Sequence, residues 1–180
     1  MNLIKTSIQD LVLIQPDVFP DQRGYFFESF QKEKFLNLGI DAEFVQDNES
    51  MSQKNVLRGL HFQLPPFAQG KLVRVVKGAV LDVAVDLRKS STTYGKWVSV
   101  TLDAKNKLMA WIPVGFAHGF LTLEDDTIFQ YKCTNYYNKA SEAGIIWNDP
   151  TLGIEWGTKE PLVSEKDLKG LLFNNLKSPF

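Results

Sequence analysis

Two histidines are all that the chain contains, His61 and His118. Histidine takes or gives a proton near neutrality, with an unperturbed pKa of about 6.5, and it is the commonest metal ligand. His61 stands in Val56-Leu57-Arg58-Gly59-Leu60-His61-Phe62-Gln63, and His118 in Ile112-Pro113-Val114-Gly115-Phe116-Ala117-His118-Gly119-Phe120. Two such residues can build a base and a helper, but not a three-histidine metal site. On a strand, His61 shares a face with Gly59 and Gln63, neighbours that leave a space in front of the ring. Arg58, Leu60 and Phe62 point the other way unless Gly59 carries a bulge. Taken alone, a strand histidine of this kind also reads as a structural imidazole held in one tautomer.

Three further side chains have the chemistry to work with a base. Lys71 opens Lys71-Leu72-Val73-Arg74-Val75-Val76; if it shares a face with Val73 and Val75, its ammonium lies among apolar groups and must meet an anion or a developing negative charge. The plainer alternative is a lysine snorkelling outward at a strand start. Tyr131 shares a face with Phe129 and Cys133, which presents its phenol from an apolar wall, either as a simple hydrogen-bonding group or as a proton donor. Asp167 is the third residue after Ser164 and fits the far half of a capping box. A carboxylate that instead reaches His61 would fix its tautomer and stabilise the imidazolium.

Something must hold these residues together, and the pattern of the chain points to strands. Leu81, Val83, Val85 and Leu87 alternate at the period of a strand. Comparable runs lie at 24–30, 57–63, 71–77, 96–102, 107–112, 120–123 and 127–133, separated by turn signals such as Pro65-Pro66, Lys77-Gly78 and Glu124-Asp125-Asp126. Many short strands at this spacing predict an all-β sandwich or barrel of jelly-roll type. Helix is sparse: Glu33 to Leu38, stopped by Gly39, is one candidate, and Ser164 opens another ahead of Leu171-Leu172-Phe173.

Composition narrows the partners. The 180 residues fit one domain over 1–180. Twenty basic against twenty-one acidic residues favour neither nucleic acid nor an anionic membrane as partner, so any anion site is local. No apolar run reaches membrane-spanning length and the start lacks the marks of a signal peptide, which reads as cytoplasmic. Cys133 is the only cysteine, which excludes an internal disulfide and cysteine-based zinc modules and leaves an inert core residue.

Taken together, these segments resemble the dTDP-4-dehydrorhamnose 3,5-epimerase family, a branch of the cupins that acts on a nucleotide-linked keto sugar. The resemblance rests on Asp21–Phe26, Phe44–Asn48, Val56–Gln63, Pro65–Val75, Ile112–Phe120, Tyr131–Thr134, Trp147–Pro150 and Ser164–Asp167, in family order over nearly the whole chain. It implies a cupin-type double-stranded β-helix with short peripheral and C-terminal helices. Metal-binding cupins carry a His-x-His pair; here the pair is written His61-Phe62-Gln63, so no metal and no cofactor is expected. The chain departs from the family at Ser90-Ser91-Thr92 and Trp156-Gly157, where Ser-Pro and Trp-Pro are frequent.

The resemblance also implies roles. His61 matches the base, Asp167 its orienting carboxylate and Tyr131 the acid on the opposite face of the sugar. Lys71 is placed near the C4 oxygen, with His118 as a second polar contact. Arg58 and Arg23 suit the diphosphate, because a guanidinium offers phosphate a planar fork of donors. Phe26, Glu28, Gln46, Asn48 and Tyr137 are expected at the nucleotide end, with the Arg23–Glu28 segment reaching into a neighbouring subunit of a homodimer. The expected substrate is a dTDP-4-keto-6-deoxy sugar, inverted at C3 and C5 through an enolate. Inversion of a single centre, and sugar-nucleotide binding without catalysis, are the alternatives.

Overall fold

The computed structural model describes residues 1–180. Fourteen strands and one short α-helix follow the chain in this order: β1 (Asn2–Lys5), β2 (Val12–Gln15), β3 (Phe19–Asp21), β4 (Gly24–Phe26), α1 (Lys32–Asn37), β5 (Gln46–Ser52), β6 (Val56–Gln63) and β7 (Lys71–Lys77). There follow β8 (Ala79–Asp86), β9 (Trp97–Asp103), β10 (Met109–Ile112), β11 (Phe116–Thr122), β12 (Thr127–Cys133), β13 (Glu142–Gly144) and β14 (Leu162–Val163). One sheet runs β1-β2-β10-β7-β12-β5, and a second runs β13-β6-β11-β8-β9 with β14 beside β6. Strands β3 and β4 form a separate hairpin.

Two facing sheets fed by strands that cross between them make the expected jelly roll. The faces turned toward each other supply a first core: Val73, Val75, Ala110, Ile112 and Phe129 meet Val80, Ala84, Leu102, Phe116 and Phe120. The outer face of the second sheet is covered by the C-terminal segment, where Ile145, Leu152 and Trp156 pack on Leu57, Leu60, Val83, Val85 and Leu121. Helix α1 covers part of the first sheet, with Phe35 against Ile14, Leu72 and Met109. Strand β8 is therefore buried on both faces: Val83 and Val85 serve one core, Val80 and Ala84 the other.

Strands β7 and β12 fall where the alternation places them, at 71–77 and 127–133. Three expectations need correction. The run at 24–30 pairs only over Gly24–Phe26. Helix α1 begins one residue earlier than expected, because the Gln31 side chain accepts a hydrogen bond from the Lys34 N–H at 2.6 Å and caps it. The C-terminal helix does not form: Asp167–Lys169 and Phe173–Asn175 are single 3-10 turns. Between them Leu171 bridges Ile145 in extended conformation, so pairing with the sheet side displaces the helix that the Ser164 cap would start.

The feature that positions the site is a break in register within β6. Its partner β11 advances from His118 to Phe120 while β6 passes from His61 to Arg58, so β6 carries one extra residue there. This is the bulge condition on Gly59, and it turns Arg58 and His61 onto the same, inner face. Gly59 has φ +132, and a Cβ on it would lie 2.5 Å from the Gly119 Cα, so backbone meets backbone at the bulge.

Candidate active site

The inner faces of the two sheets part at one end of the barrel and leave a cleft with two lobes. The larger, of about 550 Å³, is lined by Ser50, Arg58, His118, Phe129, Val163, Ser164 and Lys166 among others. The smaller, of about 240 Å³, is lined by Gln46, Asn48, Gln63, Gln69 and Tyr137. His61, Lys71, Tyr131 and Glu142 border both lobes, which puts them at the junction. His61 comes from the second sheet, whereas Lys71 and Tyr131 come from the first. An imidazole and a phenol therefore face one space from opposite walls.

His61 Nε2 lies 2.6 Å from Asp167 Oδ1. Asp167 is buried, and its other oxygen accepts the Gly59 N–H at 3.3 Å. The bulge thus does two things: it aims His61 inward, and it offers the Gly59 N–H to Asp167. Burial raises the Asp167 pKa, but the His61 hydrogen bond and charge, then the Gly59 N–H, outweigh it and hold the carboxyl below its usual range. Only the serine half of a capping box forms, the Asp167 N–H donating to Ser164 Oγ at 3.2 Å; the carboxylate does not reach back to the Ser164 N–H but serves His61 and Gly59 instead. Nδ1 is the ring nitrogen of His61 without a protein partner.

Lys71 has no carboxylate within ion-pair distance, and its Nζ stands 5.8 Å from the centroid of the Tyr131 ring. Burial pushes its pKa down. Burial also raises the Tyr131 pKa, so the phenol is held protonated. A second pair lies deeper: His118 Nε2 is 2.8 Å from Asp82 Oδ2, both buried, and burial lowers the His118 pKa. The expected polar contact from His118 is thereby limited to Nδ1.

Arg58 donates through Nε and Nη2 to Ser52 Oγ, each at 3.1 Å, which leaves Nη1 for a ligand. In the smaller lobe Gln46 Oε1 accepts the Tyr137 N–H at 2.9 Å, and Gln46 Nε2 donates to Asn48 Oδ1 at 3.0 Å. Gln63 is spent on the backbone: it donates to the Phe67 and Tyr136 carbonyls and accepts the Asn138 N–H. No group of three or more His, Cys, Asp or Glu side chains gathers in metal-binding geometry.

Arg23, Phe26 and Glu28 do not join this cleft. Arg23 is 84% exposed and folds back on Asp21, Glu28 pairs with Lys34, and Phe26 is 65% exposed. All three lie outside the cleft of their own chain. Conversely, Asp82, Glu142, Ser50 and Lys166 line or support the cleft without having been singled out from the sequence. Asp82 did carry a signal, being, with Asp86, one of two carboxylates in an otherwise apolar strand. Glu142 joins Tyr137 and Lys166, accepting from the Tyr137 hydroxyl at 3.1 Å and pairing with the Lys166 ammonium; nothing in its local sequence marks this.

A family model described as dTDP-4-dehydrorhamnose 3,5-epimerase matches residues 5–175. The chain belongs to the dTDP-4-dehydrorhamnose 3,5-epimerase family. A dTDP-4-dehydrorhamnose 3,5-epimerase of Shigella flexneri is 56% identical over 174 residues, spanning 96% of each protein. The crystal structure of the Legionella pneumophila dTDP-6-deoxy-D-glucose-3,5-epimerase in complex with dTDP-4-keto-L-rhamnose is 49% identical. It superposes with a TM-score of 0.94, covering 97% of this chain and 94% of that one. A 3'-monoepimerase from Streptomyces bikiniensis, solved with dTDP-quinovose, shares the fold at TM-score 0.86 and 35% identity, over 92% and 85% of the two chains.

Proposed function

We propose that the protein inverts C3 and C5 of dTDP-4-dehydro-6-deoxy-D-glucose to give dTDP-4-dehydro-L-rhamnose. One observation carries the reading: an Asp-oriented histidine and a partly buried tyrosine face one cleft from opposite sheets, with an unpaired lysine beside the tyrosine ring. A keto group at C4 makes the hydrogens on C3 and C5 acidic, because loss of either leaves an enolate with its charge on the C4 oxygen. Inversion needs removal from one face and return from the other, which is what opposed walls supply.

His61 keeps its Nε2 proton in a hydrogen bond to Asp167 and takes the carbon-bound proton on Nδ1. The imidazolium so formed is stabilised by the adjacent carboxylate. Lys71 meets the charge growing on the C4 oxygen; removal of one such donor from a preorganised site typically costs about 10²–10³ in rate. Tyr131 then delivers its proton from the far face, and the phenolate left behind has the same ammonium beside its ring. General acid–base help contributes only about 10²–10⁴, so Lys71 has a large share of the remainder. Arg58 offers its free Nη1 to an oxygen of the substrate from the larger lobe, and Gln46, Asn48 and Tyr137 hold the nucleotide end in the smaller one.

Arg23, Phe26 and Glu28 serve the cleft of a second subunit in a homodimer. Their projection from the β3–β4 hairpin and the segment after it, away from their own cleft, supports this. Inversion of both centres is favoured over inversion of one because the 3,5-epimerases above are 49–56% identical and the 3'-monoepimerase 35%. The test is conversion of the 4-keto sugar nucleotide in heavy water, followed by nuclear magnetic resonance of the released product. Deuterium at both C3 and C5 is expected; deuterium at one carbon makes the enzyme a single-centre epimerase, and none makes it a binding protein.

A further inference from the structure

The β3–β4 hairpin has two sides. In its register Phe19 stands opposite Phe26 and Pro20 opposite Tyr25, and directly paired residues share a side. Phe19 and Phe26 therefore face one way, both exposed, and Tyr25 faces the other. Tyr25 meets Lys107, from the turn between β9 and β10. Its Nζ donates to the Tyr25 hydroxyl at 2.8 Å, and stands 4.0 Å from the centroid of that ring and 5.9 Å from the centroid of Phe27. Arg74 of β7 places its guanidinium 5.8 Å from the Phe27 centroid. Two cations from the body of the subunit thus hold two aromatic side chains at the root of the hairpin, within the reach of about 6 Å over which a ring attracts a positive charge.

The turn that carries Lys107 is built to deliver it. Lys107 has φ +56, a backbone region that favours glycine and asparagine over a lysine. Such strain persists where the surroundings over-determine it. Here they do: Asp103 Oδ1 accepts the N–H of Lys105 at 2.7 Å and of Asn106 at 2.6 Å, Asn106 Oδ1 accepts the Leu108 N–H at 3.0 Å, and Gln15 Nε2 donates to the Asn106 carbonyl at 3.1 Å. A fixed turn therefore carries a long cationic side chain where glycine would be ordinary, and that side chain lies on the hairpin. We propose that Lys107, helped by Arg74, is a positioning residue that pins the root of the hairpin to its own subunit, so that Arg23 and Phe26 are held ready for the cleft of the partner. This rests on the homodimer reading, in which the hairpin serves a second subunit. Without the pin the hairpin samples other orientations and must be ordered when substrate binds, which weakens binding. Lys107 acts on KM, and it acts on the neighbouring cleft.

The test uses Lys107→Gly and Lys107→Arg in the exchange assay on the dTDP-4-keto-6-deoxy sugar. An exposed cation–aromatic contact joined to a hydrogen bond corresponds to about fivefold to tenfold in binding. Lys107→Gly removes the contact and relieves the positive φ, so its melting temperature is expected to stay equal or rise. Its KM rises by that factor while kcat changes little. Lys107→Arg keeps the cation and the wild-type KM. Subunit mixing then shows on which cleft Lys107 acts. With the His61→Ala protein in excess, Lys107→Gly recovers the wild-type KM, because its intact base now works beside a wild-type hairpin; with the Arg23→Ala, Phe26→Ala protein in excess it does not. An unchanged KM in Lys107→Gly, a KM raised as far in Lys107→Arg, a loss carried by kcat with a lowered melting temperature, or mixing results other than these would each overturn the assignment. Failure of the Arg23→Ala, Phe26→Ala protein to complement His61→Ala would instead overturn the homodimer reading, and this role with it.

Discussion

His61, Lys71, Tyr131 and Asp167 were each legible in the sequence as groups with chemistry to offer, yet each had an ordinary structural reading beside it. What separates the readings is long-range: Asp167 reaches His61 across 106 positions of sequence. No local pattern carries that distance. Lys71 lines the cleft at a cost to stability. Its pKa is lowered by burial, so the protein is most stable where Lys71 is neutral, and loses that stability as pH falls through the folded and unfolded range. Lys71→Met is therefore expected to raise the melting temperature at neutral pH by about 3 °C, the equivalent of about 1 kcal/mol in a chain of this size. The same change should lower kcat by about 10²–10³-fold. Calorimetry and the exchange assay on one preparation check both signs.

Strands with apolar alternation, such as β7, β8 and β12, could be read from the chain because their inner faces meet the core. Strand β5 could not: Gln46-Asp47-Asn48-Glu49-Ser50-Met51-Ser52 is polar on the face that turns inward, since that face lines the cleft. Strand β6 shows the converse. Its sequence allowed a bulge at Gly59 without deciding it, and the bulge determines where His61, Arg58 and Asp167 stand. Replacement of Gly59 by alanine forces a side chain into the Gly119 backbone at a positive φ. A loss of about 3 kcal/mol in unfolding free energy is expected, read by urea denaturation, with activity falling further than stability alone explains.

At the scale of the whole molecule, the loop after β8 is tied to the N-terminal segment through Arg88. Its guanidinium binds Asp86, Asp10 and the Gln9 carbonyl, and lies over the Phe116 ring. Burial works against the Asp86 charge, but Arg88, Ser91 and Thr93 overcome it and bring the pKa to about 2. Within Ser90-Ser91-Thr92 it is Ser91 that places a hydroxyl on Asp86, at 2.6 Å. A depressed carboxylate stabilises the fold above its unfolded value of about 3.9 and loses that contribution as pH falls through the folded one. The stability advantage of wild type over Asp86→Asn is accordingly expected to be constant above pH 5 and to shrink between about pH 4 and 2 in acid titrations. The β3–β4 hairpin makes the other whole-molecule expectation. Neither a His61→Ala protein nor an Arg23→Ala, Phe26→Ala protein should be active alone. Mixed and allowed to exchange subunits, they should regain activity, because each heterodimer then holds one cleft with both its own base and its partner's hairpin.

The central claim is that His61 and Tyr131 act on the sugar from opposite faces, and Tyr131→Phe in heavy water tests it most directly. The variant keeps His61 and Lys71, the proposed base and enolate stabiliser, so recovered substrate should gain deuterium with its configuration unchanged, while epimerised product disappears. Product still inverted at a wild-type rate by Tyr131→Phe, or deuterium entering substrate at a wild-type rate in His61→Ala, would contradict it.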